Sequence, residues 1–138
     1  MATIKSYTDL DQSKKLAEIL PLESADMYFN IAPDEGYSIE VIQDSGFIYH
    51  QFENTEDFND CQYLPCWSLA ALLDVLESEI DGEEGETYQL NIEKDGTWWN
   101  IWYMEQYDEA NPIETESTED LVDACVEMIL KLHELKML

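Results

Sequence analysis

The sequence predicts an α+β fold: an antiparallel sheet of about five strands with three helices, in the order α-β-β-β-α-β-β-α. Apolar residues recur at helical spacing in three separate stretches. Between them lie short runs in which apolar and polar residues alternate. Tight-turn signals, Asp44-Ser45-Gly46 and Asp95-Gly96, join those runs, and strands joined by tight turns are antiparallel.

The first helix is expected from about Asp9 to Leu20. Thr8 is its expected N-cap, Leu10, Leu16, Ala17 and Leu20 share a face, and Pro21 stops it. Met27 to Ile31, Ser38 to Gln43 and Phe47 to Glu53 follow as a meander of three strands. The second helix is expected from about Cys66 to Ser78. Leu69, Leu72, Leu73, Leu76 and Ile80 form its stripe, Pro65 suits its first turn, and Gly82 lies beyond its end. Tyr88, Leu90 and Ile92 then alternate with Gln89, Asn91 and Glu93, which gives a strand with one buried face. Asp95-Gly96 turns the chain into a last strand from Thr97 to Tyr107.

The third helix is expected from about Thr118 to Lys136. Ser117 with Asp120 resembles a capping box, and Leu121, Cys125, Met128, Leu132 and Leu135 form the main stripe. Val126 and Leu130 project on the opposite side. That second stripe must be covered by the same domain or by a second copy of the chain. Two chains of net charge -26 repel, so the expectation is a monomer or a weak homodimer that tightens with salt.

The 138 residues show no internal repeat and no linker, so residues 1–138 are read as a single domain. Against 32 Asp and Glu stand 6 Lys and no Arg, a formal net charge of -26. This balance excludes direct nucleic-acid binding through phosphates, which needs a basic footprint. It also argues against an anionic membrane surface. Aromatic residues at 12% separate the chain from disordered acidic sequences, which are poor in them. No apolar run approaches the roughly 20 residues of a membrane span. Met1 to Lys5 has no apolar signal core, and the 3 cysteines are odd in number, so reduced thiols in a cytoplasmic setting are expected.

Three long stretches carry a resemblance: ATIKSYTDLDQSKKLAEILPLESADMY at the start, LPCWSLAALLDVL in the middle and VDACVEMILKLHELKML at the end. In these the chain resembles a family of small acidic proteins of gut Bacteroidetes and their phage-like mobile elements. The resemblance carries no activity, because the family has no assigned function. It implies a bacterial or phage cytoplasmic context.

Four features are candidates for function. The first is the acidic surface: from Leu16 to Glu93 there are 19 carboxylates and no Lys or Arg. Glu77, Glu79, Asp81, Glu83, Glu84 and Glu86 are its densest run and the candidate contact for a basic protein partner. A compact domain of this length is roughly 35–40 Å across, and duplex DNA of that length carries about 20–24 charges. The charge therefore matches a DNA mimic that occupies a nucleic-acid-binding protein; it also matches a plain solubilising coat or adaptation to salt. The second feature is the run TWWNIWYMEQY. Trp98, Asn100, Trp102 and Met104 fall on one side, Trp99, Ile101 and Tyr103 on the other. Apolar residues on both sides predict a central strand covered on both, at least in part. The alternative is an aromatic platform on Trp98 and Trp102 for a sugar or a cation, with Tyr7, Tyr28 and Tyr49 as possible contributors.

Metal and nucleophile chemistry is the third. Cys61 and Cys66 lack Cys-x-x-Cys spacing, and a zinc site would need His50 and another ligand to converge with them. Cys66 at a helix start would have an activated thiol, unless it packs in the core with Cys125. Asp81, Glu83, Glu84 and Glu86 offer a weak divalent-ion loop or a solvated one. The fourth is catalysis. No nucleophile elbow, phosphate loop or dinucleotide fingerprint occurs, so neither an enzyme nor a cofactor is expected.

Overall fold

The computed structural model describes residues 4–32, 36–41, 62–107 and 111–138. They are α+β, with helices and two antiparallel sheets, and they gather into two compact units.

The unit Tyr7–Ala71 holds helix α1 (Leu10–Ala17), a 3-10 turn (Leu22–Ser24) and strands β1 (Met27–Ala32), β2 (Gly36–Val41) and β3 (Gln62–Cys66). Its sheet runs β2-β1-β3. The N-cap of α1 is Asp9 rather than Thr8. Asp9 accepts from the Gln12 N–H at 2.8 Å, and the Gln12 side chain accepts from the Asp9 N–H at 3.1 Å, a reciprocal capping box. Thr8 is instead buried, its Oγ1 accepting from the Trp67 N–H at 3.1 Å. Leu16 and Leu20 are buried as expected, whereas Ala17 is exposed.

Residues Cys66 and Pro65, expected at a helix start, lie in β3 and pair with Met27 and Tyr28 of β1. Among the described residues β3 pairs with β1 alone, and proline is tolerated in such an edge position. Helix α2 (Leu69–Val75) is accordingly shorter than its apolar stripe. Ser68 starts it: its Oγ accepts from the Ala71 N–H at 3.2 Å and donates to Asp26 Oδ2. The third expected strand of the meander, Phe47 to Glu53, lies outside the described residues.

The unit formed by Met1–Ser6 and Leu72–Leu138 holds β4 (Glu79–Asp81), β5 (Thr87–Asp95), β6 (Trp98–Glu105), β7 (Ile113–Glu114) and α3 (Leu121–Glu134). The sheet order is β4-β5-β6-β7. The expected hairpin is present, with Gly96 at φ 63 as the first residue of a two-residue loop. Glycine adopts that conformation without steric cost. β6 is extended on its outer side by Thr118, whose carbonyl accepts from the Trp99 N–H at 2.6 Å. α3 packs against β6. Its N-cap is Asp120, which accepts from the Val122 N–H at 2.9 Å and from the Lys5 N–H at 2.8 Å. Lys5 Nζ also pairs with Asp123 at 2.8 Å, placing a carboxylate-bound cation beside the cap.

α3 is apolar around most of its circumference. Val122, Ala124, Cys125, Val126, Met128, Ile129 and Leu132 are all buried, the pattern of a helix enclosed rather than laid on a surface. Val126, expected in a self-association stripe, is 1% exposed. Leu130 beside it is half-buried.

Burial sets the titration of this core. Tyr103 is pushed up to about 12, by burial first and then by the charges of Glu77 and Cys125. Cys125 is pushed up to about 12 from 9.0, by burial and then by Asp120. Both groups ionise more readily once unfolded. Their contribution to stability is complete below pH 9 and is lost as pH rises towards about 12. The urea midpoint is therefore expected to fall between pH 8.5 and about 11. The fall should be shallower in Tyr103→Phe, which removes one of the two groups. An equal fall in native protein and variant would show that Tyr103 does not set it.

Candidate functional site

Alternation divides β6 into two rows. Ile101 at 2% and Tyr103 at 0% exposure belong to the row facing α3, close enough for Cys125 to act on Tyr103. The other row is open. Trp98 is 47% exposed, and Asn100, Trp102 and Met104 are half-buried. β6 is thus a central strand, enclosed on one side and covered only in part on the other, where Trp98 meets solvent.

The strand register fixes what surrounds that open row, because residues paired across a ladder share a face. On β5, Asp95 stands opposite Trp98, Glu93 opposite Asn100, Asn91 opposite Trp102 and Gln89 opposite Met104. On β7, Glu114 stands opposite Trp102. On β4, Glu79 pairs with Gln89 and Asp81 with Thr87. The carboxylate-bearing residues of this face, Glu79, Asp81, Glu93, Asp95 and Glu114, are all exposed. Directly opposed side chains have Cβ atoms about 4.5–5.5 Å apart, so each open tryptophan has a carboxylate next to it. Two hydrogen bonds steady the amides: Ser117 Oγ donates to Asn100 Oδ1, and Asn91 Nδ2 donates to the Gln89 carbonyl at 3.1 Å.

Among the described residues no lysine stands on this face. Lys94 alternates to the other side, opposite Trp99 in the register, and its Nζ lies 5.4 Å from the centre of the Trp99 ring. The same hairpin thus pairs a cation with an indole on one side and a carboxylate with an indole on the other.

The acidic run expected to contact a partner is divided by the fold. Glu79 and Asp81 stand on the open face. Glu83 and Glu84 are exposed in the turn before β5, and Glu86 folds back to accept from the Glu84 N–H at 3.0 Å. Glu77 is exposed, and its carbonyl accepts from the Tyr103 hydroxyl at 2.7 Å. Glu93, Asp95 and Glu114 of this face lie outside that run. Continuing the alternation through the Asp95-Gly96 turn would have placed Asp95 beside Trp98; Glu114 gives no such signal, because β7 has only 2 residues.

The cysteine readings change as well. Cys66 sits in a strand and is wholly buried, and burial, with Asp26 nearby, raises its thiol pKa despite hydrogen bonds from Thr8 and Ser13. An activated thiol at a helix start is therefore ruled out. Cys66 and Cys125 are both free and buried. His50 and Cys61 lie outside the described residues, as does Tyr49. Among the described residues no group of three or more His, Cys, Asp or Glu converges to hold a metal ion, and no helix is long and apolar enough to cross a membrane.

No protein-family profile, curated protein or solved structure matches the chain.

The geometry has a direct optical consequence. Trp67 is fully buried, whereas Trp98 is exposed among carboxylates. At low ionic strength caesium ions should quench the tryptophan emission more strongly than iodide, because the local field attracts cations and repels anions. Trp98→Phe should lose the largest part of the caesium-sensitive emission. Equal quenching by both ions would contradict a carboxylate-lined indole.

Proposed function

We propose that this chain is a cytoplasmic interaction protein that engages a basic protein partner through its acidic surface. The open face of the four-stranded sheet carries the reading. It combines exposed carboxylates on all the strands but β6 with exposed apolar surface on β6 itself, and no lysine stands on it. Charges of one sign steer an oppositely charged partner, and the aromatic row supplies apolar area that a purely solubilising coat does not need. A partner that normally holds nucleic acid fits the magnitude: net -26 is comparable to the roughly 20–24 phosphate charges of duplex DNA over the same span. The likeness to small acidic proteins of bacterial mobile elements fits this setting.

The test compares two variants of equal net charge. One carries Glu79→Gln, Asp81→Asn, Glu93→Gln, Asp95→Asn and Glu114→Gln. The other carries Asp11→Asn, Glu18→Gln, Glu119→Gln, Glu127→Gln and Glu134→Gln, all exposed and in no strand of the sheet. Each is titrated with a lysine- and arginine-rich histone fraction over a series of salt concentrations. Native protein should bind at low salt with log K falling linearly in log salt, and the first variant should bind more weakly than the second. Equal losses in the two variants would reduce the acidic surface to a coat without a defined contact. Displacement of the native chain by duplex DNA is the further result expected of a mimic.

A further inference from the structure

We propose that the open face of the four-stranded sheet is a docking site for an extended peptide segment bearing arginine, with Trp98 and Trp102 as guanidinium platforms and the adjacent carboxylates as their clamps. This inference rests on the acidic-surface reading and names the chemistry that the surface selects.

A guanidinium group is recognised by two things at once: an aromatic face on which its plane stacks, and a carboxylate that takes its paired N–H donors. The register supplies that pair twice. Asp95 is directly opposite Trp98, and Glu114 is directly opposite Trp102. Glu93 stands opposite Asn100, between the two indoles along the strand. On the enclosed side of the same hairpin, Lys94 is directly opposite Trp99 and lies over its ring. There the chain provides its own cation. On the open side the equivalent positions hold anions, so a cation that stacks on those indoles is one supplied by another molecule.

The shape of the occupant follows from the spacing. Trp98 and Trp102 are four positions apart on one strand, a separation of about 14 Å at roughly 3.4 Å per residue. An extended peptide carries its same-side side chains at every second residue, so those at i and i+4 match this separation. Asn100 and Met104 alternate with the indoles along the row, so the platform is a strip rather than a pocket. A strip suits an extended chain better than a compact sugar or a single free cation. Arginine is favoured over lysine because its planar, weakly hydrated group stacks on indole and binds a carboxylate through two parallel bonds, whereas the ammonium is a strongly hydrated point charge.

The test titrates the full-length chain with a peptide that has arginine at every second position, and with its lysine twin of equal charge. Indole Nε–H resonances are followed at moderate salt. The arginine peptide should bind about three- to tenfold more tightly than the lysine twin, the range of a partly exposed cation–aromatic contact. The Trp98 and Trp102 signals should move and the buried Trp67 signal should stay. Trp98→Ala and Trp102→Ala should each bring arginine and lysine affinities together. Asp95→Lys should weaken the arginine peptide more than Asp11→Lys does, because it sets a resident cation beside Trp98 as Lys94 already is beside Trp99. Equal affinity for the two peptides, with Trp98 and Trp102 unmoved, would overturn the docking site and leave a charge-only interaction surface. Absence of binding by either peptide even at low salt would overturn the acidic-surface reading and the docking site together.

Discussion

The register of the hairpin from Thr87 to Glu105 decides which residues of the four-stranded sheet are enclosed and which meet water. In a strand the side chains alternate, so a slip of one position would exchange every inward residue for an outward one. Gly96, with its positive φ, holds the short loop in which Asp95 pairs with Trp98. From that pairing follow Lys94 with Trp99 and Ile92 with Ile101 on one side, and Glu93 with Asn100 on the other. The burial of Ile101 and Tyr103, the place of α3 and the composition of the open face are all downstream of this one alignment.

The charge of the chain limits what the enclosed side can contain. With 32 carboxylates, the buried positions of the described residues hold none; their polar members are Thr8 and Ser13. Each carboxylate must stay hydrated or find a donor, since a desolvated charge is costly. Asp120 finds its donors at the start of α3 and Asp26 at Ser68. Those on the β5 and β7 part of the open face remain exposed beside the indoles. An acidic chain that spends few carboxylates on internal contacts keeps a strong external field, and the fold gives that field an apolar strip to act beside.

The helical stripes, the hairpin turn and the α+β class were legible because each is a local pattern. The stripe through Cys125, Met128 and Leu132 and the alternation around Ile101 need only neighbouring residues to be seen. The place of Cys66 was not legible, because Gln62–Cys66 becomes a strand by pairing with Met27–Ile31, far away in sequence. Its Pro65, read as a helix start, stands at the edge of the sheet among the described residues. β4 and β7 were missed because 3 and 2 residues carry no period. For the candidate site, Trp98 and Trp102 were visible as one row of a strand. Their carboxylate neighbours depend on cross-strand register, and for Glu114 on a pairing that local composition does not encode. Towards the hairpin tip the enclosed side also opens, and Ile92 is 38% exposed although its alternation marked it as buried.

The open face exists only if Trp98 meets water while Ile101 and Tyr103 are enclosed. Solvent paramagnetic relaxation enhancement, read at the indole and backbone protons of the hairpin, tests it most directly. Strong broadening is expected at the Trp98 indole, intermediate broadening at Trp102, and none at Trp67, whose Nε1–H is bonded to Ser24 at 2.9 Å. The side-chain protons of Ile101 and Tyr103 should stay sharp. Broadening of Ile101 and Tyr103 with a protected Trp98 would mean that the hairpin register is shifted by one residue and that the open face is not the one described.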